Sequence, residues 1–349
     1  MSPEKPTGPL ALNAAPALAR RREVLEKLDV EPSVYNAANR RFPVQWPKYY
    51  LDLASSEAIA RLGRPTLSEL ESDPGDIVDP ISDRLQRPVP FIVRKHKNRV
   101  IVLAAKRCHF YCRFCFRREE PVQSSGEPDA EAWSRIFSYL GENPEIEEAI
   151  LSGGDPLTLD DEALRKIRVR LEQIPSIKHW RIHSRAPVHF PQRMTHDLVD
   201  AITGSKPLRL ITHYNHADEV TGQSSRVAEL MQQAGITYKN QAVLLNGVNQ
   251  TLQAQANLWR AMNDLGIQPH YLHHPDRVAG NAMFRLTIRE GQELFEQMKH
   301  HLSIPLPEYV LDLPDGRGKV PVMALQTSSN CSYTYQHEDG SISHYRDFS

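Results

Sequence analysis

Cysteine is scarce. The 349 residues contain four, and three of them, Cys108, Cys112 and Cys115, fall on one short stretch, leaving only Cys331 elsewhere. That distribution excludes a disulfide-stapled secreted framework, in which paired cysteines are spread along a small domain. Neither sign of charge is in excess: 42 Lys and Arg face 43 Asp and Glu, for a formal net charge of -1. No broad basic face is implied, so nucleic acid is not an expected partner. No apolar run approaches the roughly 18 to 20 residues needed to cross a bilayer, and the start, MSPEKPTGPLALNAAPALARRREV, has no continuous apolar core ahead of its arginines. A membrane partner is therefore not expected, and the cytoplasm is the expected compartment.

What is present is the run Cys108-His-Phe-Tyr-Cys112-Arg-Phe-Cys115. Three thiolates on one loop can hold a [4Fe-4S] cluster while leaving one iron without a protein ligand, free to bind and reduce another molecule. A structural zinc site would require four closed ligands, usually from two such knuckles, and there is no second knuckle. The rival from a different functional class is a noncatalytic metal-binding interaction protein.

Residues 1 to about 25 lack periodicity and are expected to form a loose arm, followed to about residue 90 by a proline-rich helical lead-in. From Arg99 onward, short apolar runs alternate with amphipathic segments, the pattern of βα units in a parallel sheet. Strands are expected at 100–105, 148–151, 180–183, 208–212, 238–245 and 269–273. Helices are expected near 129–140, 160–173, 195–203, 224–234, 251–265 and 287–301. Six units in series predict an α/β fold built on a partial, open (β/α)6 barrel, with active-site loops at the carboxyl ends of the strands. The expected divisions are an arm and lead-in over 1–90, a core over 91–301, and a lysine-bearing loop and tail over 302–349. In that tail, Glu338-Asp339-Gly340 predicts a hairpin turn.

Polar clusters follow the expected strands. Ser152-Gly153-Gly154-Asp155 comes after the second, where missing side chains let a ligand approach the backbone, which suits the amino group of S-adenosylmethionine. Lys319 ends the glycine-rich stretch DLPDGRGK, whose flexible backbone lets an amine reach inward and condense with an aldehyde cofactor such as pyridoxal phosphate. A solvated surface lysine is the plain alternative. A phosphate-cradling GxxxxGK[ST] loop is excluded, because Val320 stands where Ser or Thr is required. His270, His273 and His274 lie at strand spacing, which points to packing or hydrogen bonding rather than a metal site.

The cysteine spacing resembles that of the radical S-adenosylmethionine enzymes. From about residue 42 onward the chain is similar to the lysine 2,3-aminomutases within them, through FPVQWPKYY, DPISDRLQRPVP, CRFCFRR, LSGGDPL, RIHSRAPV, THYNHADE, NQAVLLNGVN, PHYLHHPD and PEYVLDLPDGRGKVPV. The resemblance implies an isomerase that moves the amino group of L-lysine to carbon 3, giving β-lysine. Cys108, Cys112 and Cys115 would ligate the cluster, and Ser152 to Asp155, His213, Asn215 and Gln241 would line the S-adenosylmethionine side. Lys319 would carry pyridoxal 5'-phosphate, Arg99 and Lys95 would grip its phosphate, and Arg117 would pair with the substrate carboxylate. Asp276 and Asp312 would hold the distant amino group of the substrate.

The resemblance also implies a homo-oligomer and an electron donor such as flavodoxin or ferredoxin. Within the same class, the substrate alternatives are arginine or another cationic amino acid, and lysine serving the modification of elongation factor P. Zinc bound at a subunit interface by several C-terminal cysteines, found in some of these enzymes, is not expected here because only Cys331 lies in that region.

Overall fold

The computed structural model describes residues 16–119, 126–329 and 331–347. The lead-in is built from four helices, α1 (Arg21–Leu28), α2 (Pro32–Arg41), α3 (Lys48–Asp52) and α4 (Glu57–Gly63). The expected loose arm falls partly outside the described residues, and the part within them is ordered. The Lys48 amide donates to Ala17 O at 2.7 Å, the Ala19 amide donates to Trp46 O at 2.9 Å, and α1 is already under way at Arg21. These backbone bonds satisfy groups that a free arm would leave to water.

The main sheet has nine strands in chain order, beginning with β1 (Ile92–Val93), which pairs antiparallel with β2 (Arg99–Ala105). Six further strands continue in parallel: β3 (Glu148–Gly153), β4 (His179–His183), β5 (Leu208–Thr212), β6 (Thr237–Val243), β7 (Gln268–His273) and β8 (Glu308–Asp312). The final strand, β9 (Lys319–Pro321), runs antiparallel to β8. The two end strands do not pair, so the barrel stays open.

The six expected βα units are present, from β2 to the helix after β7, and the parallel run continues one strand further, into β8. β8 is buried through its middle, Tyr309 to Leu311, without the alternation that marks a half-buried strand.

The helices after β2 are α5 (Ala130–Glu142), α6 (Asp161–Glu172), α7 (Ala186–His189), α8 (His196–Ile202), α9 (Gly222–Gln233), α10 (Leu252–Asp264) and α11 (Ile288–His301). Apart from α7, each is capped by a short polar side chain accepting a first-turn amide: Asp129, Asp160, Thr195, Thr221, Thr251 and Thr287. Among the described residues no helix is long and apolar enough to cross a membrane.

The two faces of the sheet differ. On β4, Trp180 and Ile182 are buried while His179, Arg181 and His183 are half-buried; on β6, Tyr238, Asn240 and Ala242 alternate in the same way with Lys239, Gln241 and Val243. A parallel sheet covered on both sides would read as continuously apolar. Here the inner face is polar and reached by solvent, as a ligand-holding lumen requires.

A second, antiparallel sheet comprises β10 (Gln326–Ser329), β11 (Ser332–Gln336) and β12 (Ile342–Arg346), with the expected turn completed by Gly340 at φ 81°. It is tied to the barrel where the Ile288 amide at the start of α11 donates to Asp347 Oδ2 at 2.7 Å.

Candidate active site

The cysteine loop is held from outside by the lead-in. Gln45 Nε2 donates to both Cys108 O and His109 O at 3.0 Å, and the Arg113 amide donates to Leu62 O at 2.9 Å. Phe110 packs edge-on against Trp46 and Tyr50 at centroid distances of 4.7 and 4.8 Å. Gly63 makes this contact possible, since a Cβ there would sit 2.3 Å from the Trp46 ring. Arg113, fully buried, ion-pairs with Glu69, which also takes Arg118 at 2.7 Å. Two cations on one buried carboxylate fix the C-terminal half of the loop and the residues just after it.

Cys108, Cys112 and Cys115 line one open cavity with Gly153, Gly154 and Arg117. All four cysteines of the chain are free thiols. Burial raises the pKa of Cys115 to about 11, with Cys112 adding to it, and raises Cys108 further, with Asp155 and the other two thiols adding. Three mutually repelling thiols on one wall require a cationic partner to be held as thiolates, which an iron cluster supplies. Among the described residues, no three His, Cys, Asp or Glu side chains are gathered tightly enough to share one metal ion.

The glycine pair also has a structural part. Gly153, at φ 111°, would place a Cβ 2.4 Å from Ala105 O, and Gly154 would place one 2.4 Å from Arg107 O. The Gly154 amide is already donated to Ala105 O. The pair therefore lets the ends of β2 and β3 close up, and its missing side chains keep the cavity open. Ser152 stands in register with Leu103 just before it. Asp155 is also engaged by the protein: its carboxylate accepts from Ser184 Oγ at 2.7 Å and from the amides of Leu157, Arg185 and Ala186. It ties the end of β3 to the segment after β4.

After β5, His213 and buried Asn215 lie side by side, and Asn215 Oδ1 accepts the Val243 amide at 2.9 Å. Gln241 lies on the half-open face of β6. Sequence reasoning gave no role to Arg185, which reaches Cys112 Sγ at 2.9 Å.

The second pole of the site is Lys319, opposite Asp312 in the β8–β9 register, with Nζ 2.8 Å from Asp312 Oδ2. Its side chain is 36% exposed, so the amine is reachable although protein surrounds it. Burial alone would lower its pKa, but Asp312 and then Asp276 raise it. The same pair acts in reverse on Asp276: burial, then the charge of Asp312, pushes it up to about 8. His96, 3.1 Å from Arg99 Nη2, is driven down to about 4 by burial and by the cations Arg99, Lys319 and Lys95. Three cations bearing on one imidazole mark a region of positive potential that suits a phosphate.

Lys95 and Arg117, expected to grip phosphate and carboxylate, share a partner the sequence reading missed. Buried Asp83 lies 2.9 Å from Lys95 Nζ and 2.6 Å from Arg117 Nη2. Burial opposes its charge, but Arg117 and Lys95 hold its pKa below the usual range. His183, His270 and His273 all feel the charge of Lys319, and burial is the main cause keeping each below its ordinary pKa. His274 Nδ1 instead pairs with Tyr309 OH at 2.8 Å.

Asp276 yields a pH prediction for the ligand-free protein. Its folded pKa lies above its unfolded value, so its contribution to stability is lost as pH rises from about 4 to about 8, at up to about 1.4 kcal/mol per pH unit. Asp276→Asn should therefore match the wild type in melting temperature near pH 4 and exceed it increasingly up to pH 8. Parallel curves from pH 4 to 8 would contradict this.

Residues 102–251 match the model of the Radical SAM superfamily. The L-lysine 2,3-aminomutase of Clostridium subterminale is 35% identical over 280 residues, spanning 79% of this chain and 67% of that protein. The protein of the same name from Escherichia coli (strain K12) is 33% identical over 267 residues, covering 75% of this chain and 78% of its own length. This chain belongs to the lysine 2,3-aminomutase family. The family also reaches the glutamate 2,3-aminomutase of Clostridioides difficile, at 32% identity over 280 residues, 79% of this chain and 66% of that one. Within this aminomutase family, then, membership alone does not choose the amino acid.

Proposed function

We propose that this aminomutase moves the 2-amino group of L-lysine to carbon 3, giving β-lysine, with a [4Fe-4S] cluster, S-adenosylmethionine and pyridoxal 5'-phosphate as its cofactors. The observation that carries the choice of lysine is the pairing of Asp276 with Asp312 beside the Lys319 amine. When that amine is engaged with a cofactor aldehyde, it no longer balances the two acids. A substrate bringing its own side-chain cation restores the balance, whereas glutamate would add a third negative charge.

When bound, the cluster and S-adenosylmethionine supply a hydrogen-abstracting radical, and pyridoxal phosphate supplies an electron sink for amino migration. The protein's part is to hold and orient. Cys108, Cys112 and Cys115 would hold the cluster at the cavity they line, and His213, Asn215 and Gln241 would serve the S-adenosylmethionine side. Arg99 and Lys95 take the cofactor phosphate, and Arg117 takes the substrate carboxylate with its planar fork. Asp83 pairs with both Arg117 and Lys95 and so orients the two cations for those anions. A low-potential donor such as flavodoxin or ferredoxin would serve as the reductant, in a cytoplasmic setting that keeps the thiols reduced.

Anaerobic reconstitution followed by incubation with lysine, arginine, ornithine and glutamate tests the assignment, with β-isomers identified by mass spectrometry. Lysine should give the β-isomer. Conversion of glutamate but not lysine would overturn the roles given to Asp276 and Asp312.

A further inference from the structure

Arg185 follows β4 and is buried, and every arm of its side chain is anchored. Nε donates to His213 O at 3.0 Å, Nη1 to Cys112 Sγ at 2.9 Å, and Nη2 to Tyr50 OH at 3.0 Å and Glu219 Oε1 at 2.5 Å. Its backbone amide is tied to Asp155 Oδ2 at 3.0 Å. Glu219, fully buried, is fixed in turn by the amides of Asn215 and His216 on its other oxygen and by Tyr50 OH. The guanidinium cannot swing off the sulfur without leaving a buried carboxylate unpaired.

We infer that Arg185 and Glu219 are positioning residues for the iron–sulfur cluster, a buried ion pair whose positive end rests on the Cys112 sulfur and sets the cluster's reduction potential. The inference rests on the reading that Cys108, Cys112 and Cys115 hold that cluster. Reduction adds one electron, and so one negative charge, to the cluster. A fixed cation donating a hydrogen bond to a ligand sulfur stabilises the reduced form more than the oxidised form and raises the potential. A carboxylate directly behind that cation offsets part of the effect. Removing the two charges must therefore move the potential in opposite directions. A merely structural role would not do this, since losing either partner of a buried pair only destabilises the fold.

The test uses the full chain, anaerobically reconstituted without S-adenosylmethionine, as wild type, Arg185→Gln, Arg185→Lys and Glu219→Gln. Iron and sulfide content are measured first, and redox titrations are then followed by the electron paramagnetic resonance signal of the reduced cluster. At a fixed donor potential, Arg185→Gln should lower the reduced-to-oxidised ratio about tenfold, a shift of about 59 mV for one electron. Glu219→Gln should raise the ratio by a similar factor, and Arg185→Lys, which keeps the charge, should stay close to the wild type. Unchanged potentials, or shifts of one sign in both charge-removing variants, would overturn the inference. If Arg185→Gln fails to take up iron, the direction of the Glu219→Gln shift decides alone. A wild type that takes up no cluster would sink the three-cysteine reading itself, a failure visible in the iron content before any potential is measured.

Discussion

Lys319→Ala is expected to abolish β-lysine formation, by about 10³-fold or more, the scale on which losing a covalent catalytic group acts. It should do so while the iron content and the cluster absorbance stay at wild-type values. The reason is the division of the site into two poles. Lys319 pairs with Asp312 on the β8–β9 hairpin, whereas the thiols hang from the loop after β2, clamped by Gln45 and Trp46. Removing the amine also leaves Asp312 and Asp276 without their nearest cation, so charge loss has to be separated from loss of the nucleophile. Lys319→Arg does this: it keeps a cation between the acids but cannot condense with an aldehyde at neutral pH. The account expects the arginine variant to be as inactive as the alanine variant, yet closer to the wild type in thermal stability. Substantial turnover in either variant would remove Lys319 from its role.

Cys115→Ala should have the converse effect. Cys115 closes a tight turn, its amide donating to Cys112 O at 3.1 Å, and its thiol is one of three on the cavity wall. Loss of an outer-shell partner typically costs a metal site about 10- to 100-fold, and loss of a direct ligand should exceed that in both iron content and S-adenosylmethionine cleavage. The cofactor absorbance arising at Lys319 should survive, because Lys319 pairs with Asp312 on the β8–β9 hairpin, away from the cysteine loop. Full cluster loading in Cys115→Ala would show that three thiols are not required.

The two poles differ in how openly they are written in the chain. The cysteine spacing is local, and the strand and helix ranges follow from apolar periodicity and Asp or Thr caps, so the first βα units lie within a residue or two of expectation. β8 escaped because its buried centre lacks alternation and runs straight into the Pro-Asp-Gly turn. Lys319 is visible only as a lysine on a glycine-rich loop until its likeness to the aminomutases is added. Asp83, Arg185 and Glu219 are long-range by construction. Arg185 lies 73 residues from Cys112 and 34 from Glu219, and nothing in either neighbourhood specifies the other. Asp155 and the glycine pair were recognised as important, but closure of the strand ends, visible only in three dimensions, uses the groups the sequence offers to a ligand.

Lysine carrying deuterium at carbon 3 gives the most direct test that the cluster pole and the lysine pole serve one reaction. The reduced, fully reconstituted protein should pass deuterium into the 5'-deoxyadenosine released from S-adenosylmethionine and onto carbon 2 of β-lysine. Unlabelled 5'-deoxyadenosine with no β-isomer, from protein shown to carry its cluster and its cofactor on Lys319, would contradict the account.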